Sequence, residues 1–193
     1  MNVHDKRVRK MTNDAAALLA ELRQDHRNMA ILLGLLHNET DKIDREEVPD
    51  FELLHDIIRY MTVYSDAMHH PKEDLIYDGM RQVQPELVEG LEQVEEDHKE
   101  IAALGEALRD DIEAIVAGTE VTRERVVHDA RDYMRRLNKH MAWEEEDLFR
   151  RADAEIDHLT IDTSHLKATD PIFGEVREAS FAKVLQTIQR EAQ

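Results

Sequence analysis

Apolar residues recur along this chain at steps of three and four, and the steps gather into four long runs. The first covers about residues 13–37, with Leu18, Leu22, Met29, Leu33 and Leu36 on one helical face. A polar stretch, NETDKIDREEVPD, follows and predicts a connection. The second run begins after Asp50, a residue suited to cap a helix N-terminus, and carries Leu54, Ile57, Ile58, Met61, Met68 and Ile76. Gly79 is the residue expected just past its end. The third starts at Pro85 and stops before Gly118, with a stripe of Leu87, Leu91, Val94, His98, Ile101, Gly105, Leu108, Ile112 and Ile115. Thr122 predicts the cap of the fourth, whose stripe is Val126, Ala130, Tyr133, Leu137, His140, Glu144 and Leu148.

Short links between the second, third and fourth runs make them antiparallel neighbours, so the pattern predicts an all-α, up-down-up-down four-helix bundle over residues 1–155. Residues 156–170 read as an irregular connection. DPIFGEVREASFAKVLQTIQR then places Phe181, Val184, Leu185 and Ile188 at helical spacing. Residues 156–193 are therefore expected to form a C-terminal loop and short helix, packed on the bundle or at a dimer contact.

Composition agrees with an all-helical chain: among 193 residues there are only 6 Gly and 4 Pro. The net charge of -18 repels phosphate backbones and anionic lipid, which argues against nucleic-acid or membrane-surface partners. The absence of cysteine excludes disulfides, thiol nucleophiles, thiolate zinc sites and iron–sulfur clusters. Neither a signal-peptide core nor a run of membrane-spanning length occurs, so a cytoplasmic location is expected.

The stripes are most informative where they fail to be apolar. His98 interrupts the third, and His140 with Glu144 interrupts the fourth one turn apart. On the first, His26 follows Leu22 by four and precedes Met29 by three. On the second, His69 falls on the face of Ile58 and Met61, with Glu73 one turn on. The His-x-x-x-Glu pairs themselves carry no weight, because 11 histidines in so acidic a chain produce about one such pair by chance. Register carries the argument. Counted from the turns, the second, third and fourth runs place these residues at one height, to within a few ångströms at about 1.5 Å per residue. His26 joins them only if the first helix extends past His37 or the second begins after Asp50.

Four imidazoles and two carboxylates buried at one level are costly unless something compensates, and the two carboxylates would repel each other. Metal ions remove the difficulty. Imidazole and carboxylate suit iron, manganese or zinc, and six donors are too many for one ion but fit two. The alternative is a metal-free polar layer in a helical interaction protein.

The segments QDHRN around His26, MHHPKED around His69, EEDHKEI around His98 and NKHMAWEEEDLF around His140 resemble the hemerythrin-like, or HHE cation-binding, domain over about residues 18–151. The resemblance implies two iron ions, oxo- or hydroxo-bridged, with His26 and His69 on one and His98 and His140 on the other. Glu73 and Glu144 would bridge them. Oxygen-carrying members have two histidines four apart on the third helix, whereas Val94 and Ala102 flank His98 here at that distance, leaving four histidines rather than five. The pattern is more similar to the iron-sensing domain of an F-box ubiquitin-ligase subunit, and reversible oxygen carriage is not implied. No cysteine-bearing segment of the kind found in iron–sulfur repair members is present. A non-haem di-iron protein that binds or reacts with oxygen, hydrogen peroxide or nitric oxide is the function implied. The alternative is an iron sensor or store without turnover.

Among neighbours, His70 and Glu145 are read as surface residues or partners of the ligands, Tyr64, Tyr133 and Trp143 as packing residues. His4, His37, His55, His128, His158 and His165 are read as solvated. Pro71 lies between His69 and Glu73 and removes a helical hydrogen bond, so it predicts a kinked or widened but continuous helix there.

Overall fold

The computed structural model describes residues 3–164, 166, 170–174 and 178–191, with side chains described from Asp14 onward except at positions 65, 66 and 95. The described residues form seven α-helices: α1 Val3–Asp44, α2 Phe51–Tyr64, α3 His70–Val83, α4 Val94–Val116, α5 Arg123–Trp143, α6 Phe149–Ala154 and α7 Ala182–Glu191. The turns Ser65–His69 and Glu144–Leu148 are π-helical and join α2 to α3 and α5 to α6. Four antiparallel rods result. The rod α1 packs beside α5, α5 beside α4, and α4 beside α2, while α2 and α3 return to α1. No described residue lies in a strand, and no helix among them is long and apolar enough to cross a membrane.

Helix α1 departs from the expected boundaries at both ends, starting at Val3 and running through most of the polar stretch to Asp44. Ile43 is buried, the Thr40 hydroxyl donates to the Leu36 carbonyl at 2.7 Å, and buried Glu39 accepts from the Asp50 backbone N–H at 2.8 Å. The helix stops in a left-handed turn: Glu46 N–H donates to Ile43 O and Glu47 N–H to Lys42 O, with Glu46 at φ 65°. Glycine ordinarily marks this stop; a glutamate occupies it here, which hides the boundary from a sequence reading. Asp50 caps α2 as expected, its Oδ1 accepting from Leu53 N–H at 3.0 Å, and Thr122 caps α5 through Arg125 N–H.

Two further boundaries differ. Gly79 lies inside α3, which continues to Val83; the site of its absent Cβ faces Ile161 Cγ1 at 3.3 Å, so its smallness admits the C-terminal segment. Pro85 opens a short 3-10 turn, Pro85–Val88, rather than the third long helix. Gly90, at φ 83°, breaks the chain again before α4 begins at Val94. Leu91 and Val88 are nevertheless buried, so the apolar spacing reports packing without reporting continuous helix.

The extension of α1 aligns the bundle. His26 lies eighteen residues before the end of α1, His69 eighteen after the start of α2, His98 eighteen before the end of α4, and His140 seventeen after the start of α5. All four therefore stand about 27 Å from the same end. The polar layer divides the core in two. On one side lie Met29, Leu36, Ile57, Met61, Ile101, Leu108 and Leu137; on the other Leu18, Leu22, Ile76, Met80, Leu91, Leu148 and Phe149. The C-terminal segment covers the bundle: Ile172, Phe181 and Val184 join the first half, α7 lies along α2, and Tyr60 Oη donates to Asp170 Oδ2 at 2.8 Å.

Gly105 is where the rods approach closely. A Cβ there would meet Thr62 Cγ2 at 2.8 Å and Tyr133 Cε2 at 3.1 Å, and Thr62 is held by its hydroxyl on the Ile58 carbonyl. Gly105→Ala is therefore expected to destabilise the bundle by about 1–3 kcal/mol despite better helix propensity. Gly34→Ala, on an exposed face of α1 with nothing within 4 Å, should stabilise by about 0.5–1 kcal/mol. Chemical denaturation of the two variants checks the opposite signs.

Candidate metal centre

Each candidate ligand reaches the centre for a local reason. His26 projects from α1, His98 from the first turns of α4, and His140 from the last turn of α5, each at an apolar-stripe position. His69 and Glu73 flank the junction at Pro71. The π turn Ser65–His69 widens the helix just ahead of the proline, which falls at the start of α3. The chain stays helical through the junction and Glu73 turns inward, 2 % exposed. A second π turn begins at Glu144, closed by Phe149 N–H on the Glu144 carbonyl. The extra residue it accommodates lets consecutive Leu148 and Phe149 both enter the core. No proline signals this second widening in the sequence.

The six side chains converge into two groups sharing both carboxylates: His26, His69, Glu73 and Glu144, and Glu73, His98, His140 and Glu144. Within each group one ligand atom per residue lies within 4.8 Å of all the others. Glu73 Oε1 is 2.8 Å from His69 Nε2 and 3.8 Å from His26 Nε2, while its Oε2 is 3.4 Å from His98 Nε2. Glu144 Oε2 is 3.2 Å from His26 Nε2, and its Oε1 is 2.9 Å from His140 Nε2 and 3.7 Å from His98 Nε2. Each carboxylate thus offers one oxygen to each histidine pair. His98 Nε2 and His140 Nε2 face each other at 3.0 Å.

These atoms are close without being satisfied. Both oxygens of Glu73 and Glu144, and His26 Nε2, are buried and receive no aligned hydrogen bond. Buried carboxylates left in that state are costly. Lone pairs aimed at a common point rather than at each other's protons fit cations in the two spaces between the groups.

Without a cation, protons take that place. Burial works against a charged imidazole, but contact with Glu144 and Glu73 raises His26 to about 9 and His98 to about 10. His69 rises to about 10 through Glu73 and Asp25. Burial and the charge of Glu73 both oppose ionisation of Glu144, yet its histidines hold it at about 2; Glu73 is likewise held well below the carboxylate range, chiefly by His69.

A second ring of residues orients the imidazoles. His26 Nδ1–H donates to Glu145 Oε1 at 3.1 Å, and Arg23 reaches both Glu145 and Asp153. His69 Nδ1–H donates to Asp25 Oδ2 at 3.3 Å, and Lys72 Nζ donates to the same oxygen at 2.9 Å. His70 stacks flat on His98 with ring centroids 3.8 Å apart; burial and the neighbouring His98 lower its pKa to about 3. Phe149 stacks on His26 and Trp143 on His140. Tyr64 is buried against Tyr60, and Tyr133 against Gly105. Asp25, Asp97, Arg23, Lys72 and Arg136 were not singled out in the sequence. The signal available was the Asp-His dipeptide, which occurs at 25–26, 97–98 and 157–158, the first two with the histidine on an apolar stripe. His37, His128 and His158 are exposed and His55 is partly covered beside Glu113; the His4 side chain and His165 lie outside the described residues. One cleft of about 250 Å³, between Tyr77, Leu91, Val94 and Leu148, ends on Glu73; another of about 200 Å³ ends on His140.

A helical bundle with a buried layer of histidine and glutamate from every rod defines a cation-binding domain. The model of the hemerythrin HHE cation binding domain matches residues 17–169, and the chain belongs to that family. Comparison with curated proteins and with solved structures gives no match.

Cation binding requires neutral imidazoles, so a metal must displace protons that this site holds up to pH 9–10. Metal affinity is therefore expected to rise with pH over that range. In the metal-free protein the raised imidazoles stabilise fully below the ordinary value near 6.5 and lose that effect as pH rises through 9–10. The carboxylates stabilise fully above 4.5 and lose it as pH falls through about 2 for Glu144. Melting of the metal-free chain should shift down between pH 7 and 10. Calorimetric metal titration at pH 7 in two buffers should show net proton release; a buffer-independent heat would contradict the assignment.

Proposed function

We propose that this chain is a non-haem di-iron protein that binds or reacts with a small oxidant of the oxygen, hydrogen peroxide or nitric oxide kind. One iron is held by His26 and His69, the other by His98 and His140, with Glu73 and Glu144 bridging. The observation that carries this reading is the division of each buried carboxylate, one oxygen toward each histidine pair. Two imidazoles and two carboxylate oxygens give each metal four protein donors, which leaves iron with positions for an exogenous ligand. Manganese or zinc would fit the same donors. The two clefts that reach Glu73 and His140 are roomy enough for a diatomic molecule or peroxide.

A second reading, an iron sensor or store without turnover, is favoured by a separate observation. The ligands come from all four rods, so metal binding and closure of the bundle are one event. Iron-loaded protein exposed to peroxide and to nitric oxide separates the two. Changes in visible absorption at two irons per chain support reactivity. An unresponsive spectrum together with a large gain in melting temperature over the metal-free protein supports sensing or storage. His98→Leu with His140→Leu should abolish the second equivalent of iron; a variant that is more stable and still fully loaded would contradict both readings.

A further inference from the structure

The four imidazoles are not held alike. On the His26/His69 side each Nδ1–H donates to a carboxylate, and each carboxylate is itself braced by a cation: Glu145 by Arg23 and Asp25 by Lys72. Such a partner fixes the tautomer, points the Nε2 lone pair into the site and strengthens it as a donor. On the other side His140 Nδ1 is buried and receives no hydrogen-bond partner. Asp97 Oδ2 stands 3.8 Å from it, while Asp97 Oδ1 accepts from Arg136 at 2.5 Å. His98 lies flat on His70, and its contacts with Glu73 Oε2 at 3.4 Å and Glu144 Oε1 at 3.7 Å are both made by Nε2. Its side chain is 14 % exposed, against 6 %, 4 % and 3 % for His26, His69 and His140.

The difference is sharpened by a repeated arrangement. Asp25 precedes His26 on α1 and Asp97 precedes His98 on α4, and each aspartate faces the histidine of a neighbouring rod, His69 and His140 respectively. Only the first reaches hydrogen-bonding distance. Nothing in the donor set itself, two histidines and two shared glutamates on each side, distinguishes the positions; the outer carboxylates do.

Resting on the dinuclear reading above, we propose that the two metal positions are inequivalent. The His26/His69 position is the tight, permanently filled one, with Asp25 and Glu145 as its positioning residues. The His98/His140 position is the exchangeable one, filled last and emptied first. Removing an outer partner of a metal-bound imidazole costs about 10- to 100-fold in affinity, so two such partners are enough to separate the steps.

Anaerobic calorimetric titration of the metal-free full chain with Fe(II) tests this. The wild type should show two steps of unequal affinity, and His98→Ala should remove only the weaker. Asp25→Asn and Glu145→Gln should each weaken the tighter step by about 10- to 100-fold and leave the weaker within about threefold, while Asp97→Asn leaves both within about threefold. Glu145 is 37 % exposed, so Glu145→Gln keeps the test sound even if Asp25→Asn disturbs the fold. Two equal sites in the wild type, or an Asp97→Asn effect as large as that of Asp25→Asn, would overturn the inference while leaving the dinuclear reading standing. A wild type that takes up no iron would overturn both.

Discussion

Two glutamates, only 2 % and 0 % exposed and set in the middle of a helical bundle, are the constraint to which the rest of the structure answers. Like-charged carboxylates at such a depth repel, and burial penalises each of them. Four imidazoles surround the pair, and the layer they form divides the apolar core into two halves. The two halves clamp the layer from either side. A positive charge has to sit between the carboxylates, whether as protons on the histidines or as metal ions. Protons leave the carboxylate oxygens without aligned hydrogen bonds, whereas cations in the two shared spaces would meet every lone pair directed there.

The helices widen locally to meet this demand. An unbroken α-helix would have to absorb Pro71 between His69 and Glu73; the π turn ahead of it lets the rod continue with both side chains inward. On the opposite rod, a second π turn starting at Glu144 sets Glu144 into the layer while its neighbour Glu145 reaches the far side of the His26 ring. Consecutive residues thus flank one imidazole, Glu145 through the hydrogen bond to Nδ1 and Glu144 with an oxygen 3.2 Å from Nε2. Family membership and this geometry agree on a cation-binding bundle.

Much of this was legible in the sequence because helix packing and buried polarity leave periodic marks. The stripes located four rods, and the polar exceptions within them named His26, His69, Glu73, His98, His140 and Glu144, the same side chains that the fold brings together. What escaped had local physical causes. The end of α1 was hidden because Glu46 adopts a left-handed conformation that glycine normally signals. Gly79 looked like a helix stop but is a contact point for Ile161, and Leu87 and Leu91 kept helical spacing through a segment that is not one helix. Asp25 was missed because its partner His69 lies on another rod, 44 positions away, and Glu145 could be named beside Glu144 but not assigned to His26, 119 positions away.

The central claim is that the buried layer is a two-cation site with shared carboxylates. Anomalous X-ray diffraction from iron-loaded crystals of the full chain, recorded at the iron edge, addresses it most directly. Two peaks are predicted between Glu73 and Glu144, one against His26 and His69 and one against His98 and His140. A single peak in the layer, or iron bound only at the acidic surface, would contradict the account.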